Sequence, residues 1–148
     1  MSLVEEVDAL RRIPLFAHIE PAKLKLLAFT SERLTFAAGH TLFRQGEMGD
    51  AAYILLDGEA EVQVETPNGP RKVATLAKHQ IVGEIAVLCD VPRTATVVAA
   101  GRLVVLRVSK ENFLRLMREF PQMSIEIVRE LARRLERTTQ ALQAALSR

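Results

Sequence analysis

The sequence predicts a mainly β domain with flanking helices (α+β), its centre a double-stranded β-helix or jelly roll. Three observations carry this. All seven glycines, at positions 39, 46, 49, 58, 69, 83 and 101, lie in the middle of the chain, and neither the first nor the last quarter contains one. Between the glycines run short stretches of strand type, separated by turn residues at the spacing of a sandwich or barrel. Outside them, apolar residues recur at steps of three and four, the period of helices.

Taken in order, residues 1–33 are expected to be helical. Val4, Val7 and Leu10 share one face, and Pro21 is placed to open a second helix through Leu24, Leu27 and Ala28. Residues 34–108 hold the roll, with strands expected at 34–37, 53–56, 60–65, 71–76, 94–99 and 103–108. In Glu61-Val62-Gln63-Val64-Glu65 apolar and polar residues alternate strictly, as a strand with one buried face requires. Pro67-Asn68-Gly69-Pro70 follows, and a glycine after asparagine readily takes the positive φ of a tight hairpin turn. Residues 109–148 return to helix. Ser109 is the expected N-cap of a helix carrying Phe113, Leu116 and Met117 and ending near Pro121. From 122 to about 146 there is neither glycine nor proline, and Val128, Leu131, Leu135, Thr138, Leu142 and Ala145 recur at alternating steps of three and four. This is a heptad seam, with Arg129, Glu130, Arg133, Arg134 and Glu136 mostly off it. In its N-terminal half the stripe packs either on the protein's own β core or on a partner. Beyond Leu135 a partner is expected, which makes residues 122–146 a candidate helix for a parallel homodimer.

The 148 residues and 16.5 kDa suit one domain, and 49% apolar with 26% charged residues fills a core without approaching disorder. The net charge of +2 is too balanced for a nucleic-acid footprint, although the pI is near 9.0. Apolar runs such as 54–56 and 103–106 fall far short of the ~20 residues of a membrane span. The start of the chain lacks the basic and apolar regions of a secretory signal. A single cysteine, Cys89, excludes an internal disulfide and a thiolate zinc site, so a reducing cytoplasm is expected. Among apolar neighbours, Cys89 is expected as a small buried hydrophobe. His18, His40 and His79 are isolated, which suits surface or turn positions and no metal. Gly46-Glu47-Met48-Gly49-Asp50 lacks the Gly-Lys-Ser/Thr ending of a nucleoside triphosphate loop, and no Gly-x-Gly-x-x-Gly occurs. The chain is expected to be no enzyme.

The informative segment is 82–97, Val-Gly-Glu-Ile-Ala-Val-Leu-Cys-Asp-Val-Pro-Arg-Thr-Ala-Thr-Val. A glycine precedes about one turn of helix, and an extended stretch follows, led by an arginine just after a proline. The helix start offers unpaired N–H groups at Gly83 to Ala86, and its dipole favours an anion. Arg93 is placed to close over that anion with a fork of donors. Glu84 is out of place beside a phosphate unless the ligand also brings hydroxyls to donate to it, as a ribose does. The alternative is a plain Glu84–Arg93 ion pair with no ligand.

Gly83-Glu84-Ile85-Ala86-Val87-Leu88 followed by Pro92-Arg93-Thr94-Ala95-Thr96-Val97 resembles the phosphate-binding cassette of the cyclic nucleotide-binding domains, found in catabolite activator protein, the regulatory subunits of cyclic-AMP-dependent kinase and the cyclic nucleotide-gated channels. Leu42-Phe43-Arg44-Gln45-Gly46-Glu47, Gly49-Asp50, Tyr53-Ile54 and Gly58 resemble the family's glycine-marked strands in the same order, so that the likeness runs from about Phe16 to Leu146. Val82 departs from the phenylalanine many members carry before the glycine. The resemblance implies that Glu84 accepts from the ribose 2′-hydroxyl and that Arg93 pairs with the cyclic phosphate. It further implies backbone contacts from Gly83, Ile85, Ala86 and Ala95, and a hydroxyl from Thr94 near phosphate or base. Residues 130–139 look like the bacterial activators' dimer helix, in which a pair of hydroxyl residues reaches the adenine. Here those residues are Thr138, on the seam, and Thr139 beside it. The alternative for Thr138 is a bond to its own backbone carbonyl one turn earlier.

Together these imply a cytoplasmic sensor domain for a cyclic nucleotide, cyclic AMP in preference to cyclic GMP. It would need no other cofactor and no metal, and would work as a homodimer without touching nucleic acid or membrane by this chain alone. A downstream protein partner is left open. Three other readings remain. One is the ligand-binding half of a transcription regulator, for which the chain, ending at Arg148, leaves no room for a recognition helix. Another is an orphan interaction domain that binds no nucleotide. The third is an enzyme on a cupin-like scaffold, which would need clustered histidines.

Overall fold

A computed structural model describes residues 2–13 and 16–147. Met1, Pro14, Leu15 and Arg148, which fall in the segments expected as helical, lie outside the described residues. The chain begins with α1 (Leu3–Arg11) and α2 (Pro21–Thr30), and continues through β1 (Glu32–Phe36), β2 (Thr41–Phe43), β3 (Ala51–Asp57), β4 (Ala60–Thr66), β5 (Gly69–Leu76) and β6 (Ile81–Val82). The short helix α3 (Glu84–Cys89) follows, then β7 (Thr96–Ala99), β8 (Leu103–Ser109), α4 (Lys110–Glu119) and α5 (Pro121–Leu146). The strands form two four-stranded antiparallel sheets, ordered β1-β8-β3-β6 and β2-β7-β4-β5. Because neighbours within each sheet are distant in sequence, the chain crosses repeatedly from one sheet to the other, as in a jelly roll.

The unbroken apolar character of β3 and β8 follows from their place in the molecule. Ala52, Ile54 and Leu56 of β3, with Val104, Leu106 and Val108 of β8, face a core shared with Leu10 of α1, Leu24 of α2, Phe113 of α4 and Met123 and Ile127 of α5. The alternate residues, Ala51, Tyr53 and Leu55 with Leu103 and Val105, face a second core between the sheets, where they meet Phe43, Ala60 and Val97. A strand buried on both faces has no polar side to show.

Several local features match the sequence expectations. Pro21 is the first residue of α2. The Ser109 hydroxyl accepts from the Asn112 N–H at the start of α4. Gly69, with φ of 98°, opposes Thr66 across the β4–β5 hairpin. The strands β2 and β6 were not expected, and the strand expected at 94–99 starts only at Thr96, leaving Thr94 and Ala95 in a bend. Cys89 is a correction, because it is exposed. It closes a six-residue helix whose buried side is Glu84, Ala86 and Val87, and it falls one turn after the outward Ile85.

The long helix divides its apolar residues between two stripes. Met123 and Ile127 are buried, and Leu131 packs against the same core. Val128, Leu135 and Leu142, spaced by sevens, are 64%, 68% and 59% exposed. Of the seam residues read from the sequence, Leu131 is the one that meets the protein's own core.

Candidate functional site

A cavity of about 390 Å3 opens between the β2-β7-β4-β5 sheet, α3 and the middle of α5. Gly83, Glu84, Ile85, Ala86, Arg93, Thr94, Ala95 and Thr138 all line it. Thr139 is exposed and does not.

Gly83 adopts a left-handed conformation, φ 85°, that turns the chain from β6 into α3. A side chain there would meet Arg93 Nη1 at 2.5 Å and the Phe43 ring at 3.2 Å, so this glycine is required both by its φ and by the close approach of the arginine. Gly49 has a different reason: a Cβ on it would overlap that of Ala86, which lets the loop before β3 lie directly against α3.

Arg93 is locked from several directions. Its N–H donates to the Glu47 carbonyl at 2.7 Å, and its own carbonyl accepts from Gly46 N–H at 2.9 Å. Nη1 donates to the Gly83 carbonyl at 2.9 Å, Nη2 to the Ala51 carbonyl at 2.7 Å, and the guanidinium lies 4.0 Å from the centroid of the Phe43 ring. Asp50 Oδ1 stands 3.5 Å from Nη2, but that carboxylate is largely exposed and also binds Arg107 at 2.9 Å. The Arg93 side chain is 2% exposed, and its buried Nε has no hydrogen-bond partner. Burial is the main influence on this guanidinium and works against its charge, while Tyr53, Asp50 and Glu47 favour it. A buried cation with one idle donor beside a cavity is arranged to receive an anion.

Glu84 does not pair with Arg93. Its carboxylate, 4% exposed, accepts from Arg134 Nη1 of α5 at 2.5 Å, and Arg134 Nη2 reaches the Ile81 carbonyl at 3.2 Å. The plain Glu84–Arg93 ion pair is thereby replaced by a bridge between α3 and the long helix. Burial raises the Glu84 pKa, with Arg134 the chief opposing influence. Glu130, one turn before Arg134, holds Arg134 Nε at 3.5 Å and Arg137 Nη2 at 3.7 Å, so one carboxylate aligns two arginines that line the cavity. Neither arginine was singled out from the sequence. In a helix rich in Arg and Glu, nothing in the spacing distinguishes a residue that crosses to α3 from one that pairs along the surface.

Thr138 Oγ1 donates to the Arg134 carbonyl at 2.9 Å, the backbone bond weighed above as the alternative. This bond uses the hydroxyl proton and leaves the oxygen facing the cavity as an acceptor.

A jelly roll that presents a buried arginine, a helix start and a buried carboxylate around one cavity defines a sensor of a small anionic ligand bearing hydroxyl groups. Residues 33–120 match the cyclic nucleotide-binding domain, and the chain belongs to that family. It is 27% identical over 136 residues to the CRP-like cAMP-activated global transcriptional regulator of Mycobacterium tuberculosis, covering 91% of this chain and 61% of that protein. It is 36% identical over 109 residues to the cAMP-dependent protein kinase regulatory subunit of Blastocladiella emersonii, covering 73% of this chain and 27% of that one. The catabolite activator protein of Thermus thermophilus superposes with a TM-score of 0.79 at 28% identity over 88% of this chain and 62% of its own. The chain thus spans about three-fifths of the length of the bacterial relatives and about a quarter of the kinase subunit. Among the described residues no helix is long and apolar enough to cross a membrane.

Proposed function

We propose that this chain is a regulatory, non-catalytic domain that binds cyclic AMP in preference to cyclic GMP and works in the cytoplasm as a homodimer through α5. The observation that carries the ligand assignment is the buried Arg93, whose Nε lacks a partner at the wall of the cavity. In this reading Arg93 Nε and the first N–H groups of α3 take the cyclic phosphate. Glu84 takes the ribose 2′-hydroxyl, either by sharing its carboxylate with Arg134 or by releasing it. Thr94, in the bend after Arg93, stands near the phosphate or base, and Ala95 beside it offers backbone. The base lies towards α5, where Thr138 Oγ1 has spent its proton on Arg134 and accepts the adenine amine; guanine offers a carbonyl at that place, which an acceptor cannot serve. Thr139, outside the cavity lining, is proposed to act only across a dimer.

The dimer is supported by the exposed seam of Val128, Leu135 and Leu142, and the cytoplasmic setting by the lone cysteine. Because Arg134 and Thr138 belong to α5 while Glu84 and Arg93 belong to the roll, ligand contacts at both ends favour the arrangement in which helix and cassette are close, a population shift with α5 as the moving part. Output by nucleic acid or by a downstream protein would need partners or segments beyond the residues described.

Calorimetric titration with cyclic AMP, cyclic GMP and 2′-deoxy cyclic AMP tests the reading. The expected outcome is tighter binding of cyclic AMP, with Glu84→Ala weakening cyclic AMP about tenfold or more while leaving the deoxy analogue nearly unchanged. Absence of heat with any of the three would overturn it.

A further inference from the structure

The base end of the cavity holds one charge for which the reading above has no use. Beyond Glu84, the walls are Val62 of β4 with Ala74, Thr75 and Leu76 of β5 on one side, and Arg137 and Thr138 of α5 on the other. Arg93 answers the phosphate and Arg134 answers Glu84, whereas Arg137 touches only Glu130, at 3.7 Å, and its side chain is 66% exposed. Glu130 is already shared with Arg133 and Arg134, each at 3.5 Å. An arginine held this loosely at the rim of a slot with apolar walls is free to turn its fork inwards.

We propose that Arg137 reads the acceptor edge of the purine and thereby admits cyclic GMP as a second ligand, keeping the preference for cyclic AMP narrow. The chemistry follows from the inventory of the two bases. Arginine offers only donors. Guanine presents two adjacent acceptors, N7 and O6, which a planar fork meets together; adenine presents N7 beside the N6 amine, so the same fork gains one bond and faces a donor with the other. Arg137 and Thr138 are consecutive on α5, one offering donors to guanine and the other an acceptor to adenine. The balance between these neighbours sets the selectivity of the site.

This inference rests on the cyclic nucleotide reading, and the experiment separates the two. Competition binding is measured with cyclic AMP, cyclic GMP and 7-deaza cyclic GMP on the wild type, Arg137→Ala and Arg137→Lys. Arg137→Ala should weaken cyclic GMP about tenfold, near the low end for a bidentate contact because the arginine is exposed, and change cyclic AMP less than about twofold. Arg137→Lys keeps the charge but loses the fork, so it should follow the alanine variant. On the wild type, the 7-deaza analogue should bind several-fold more weakly than cyclic GMP, and on Arg137→Ala equally. Equal losses of both natural nucleotides, or lysine restoring cyclic GMP, would reduce Arg137 to a general attraction for anions and overturn the proposal. If the wild type bound neither nucleotide, the underlying reading would fail and this one with it.

Discussion

Arg93 reaches the cavity with two of its three nitrogens already engaged, and this changes what a substitution there should do. The sequence invites a bidentate grip on phosphate. In the structure Nη1 and Nη2 instead serve the Gly83 and Ala51 carbonyls, and Nε is the donor without a partner. Arg93→Lys should therefore lose affinity for cyclic nucleotide by at least about tenfold, since a lysine at that reach cannot hold two carbonyls and an anion together, and it should also lower thermal stability by leaving a buried carbonyl unpaired. Calorimetry and thermal unfolding of the same variant check both halves; undiminished affinity would remove Arg93 from the site. Glu84 carries a pH signature. Burial raises its pKa, so its contribution to the stability of the empty domain is fully present below the ordinary carboxylate pKa and is lost as pH rises through the raised value. Measured against Glu84→Gln, the wild type should lose relative stability on going from acidic to neutral pH. Arg134→Ala should move that loss to higher pH, because the cation that opposes the shift is gone. Thermal melts across that range decide it, and an unmoved transition in Arg134→Ala would mean that the bridge does not govern the carboxylate.

At the scale of elements, the cassette is positioned by what lies behind it. The loop before β3 can touch α3 only because residue 49 lacks a Cβ, and that loop also supplies Glu47 and Asp50 to Arg93. Gly49→Ala should press on Ala86, costing about 1–3 kcal/mol and weakening ligand binding through a displaced α3; Ala86→Gly in the same chain should recover part of both losses. Chemical denaturation and calorimetry on the single and double variants read this out, and strict additivity would show that the two residues do not share the space. The same elements show how far the sequence could be read. The β4–β5 hairpin, the Ser109 cap and α5 announce themselves by turn chemistry, a capping hydroxyl and a sustained period. The strands β2 and β6, of three and two residues, are too short for any period to register and exist because β7 and β3 offer them an edge. The cavity residues from 83 to 95 were legible because cassette chemistry is local in sequence. Arg134 and Arg137 were not, because their partnership with the cassette is made only by the path of α5 across the roll, and nothing local encodes a contact between residues 84 and 134.

The molecule as a whole leaves α5 half committed. Its first turns are anchored through Met123, Ile127 and Leu131, its middle is tied to the cavity by Arg134, and beyond that its apolar residues meet no core among the described residues. Leu135, Leu142 and Leu146 are largely exposed, although a lone helix gains nothing by repeating leucine every seven residues. The Arg134–Glu84 bridge fixes the direction in which the helix leaves the roll, so the exposed seam of one copy can meet that of another only where this bridge permits. Ligand binding at Glu84 and dimer geometry are then linked through one side chain. The seam can be removed without touching the cavity, since neither Leu135 nor Leu142 lines it. Replacing both with glutamate withdraws each leucine from two copies at once, a loss of ~3 kcal/mol or more and at least about a hundredfold in dimer Kd. Sedimentation should show a dimer for the wild type and a monomer for the Leu135→Glu, Leu142→Glu variant, with unchanged helix content by circular dichroism and cyclic AMP still bound. A monomeric wild type, or a variant that remains dimeric, would mean that the exposed stripe serves some other surface.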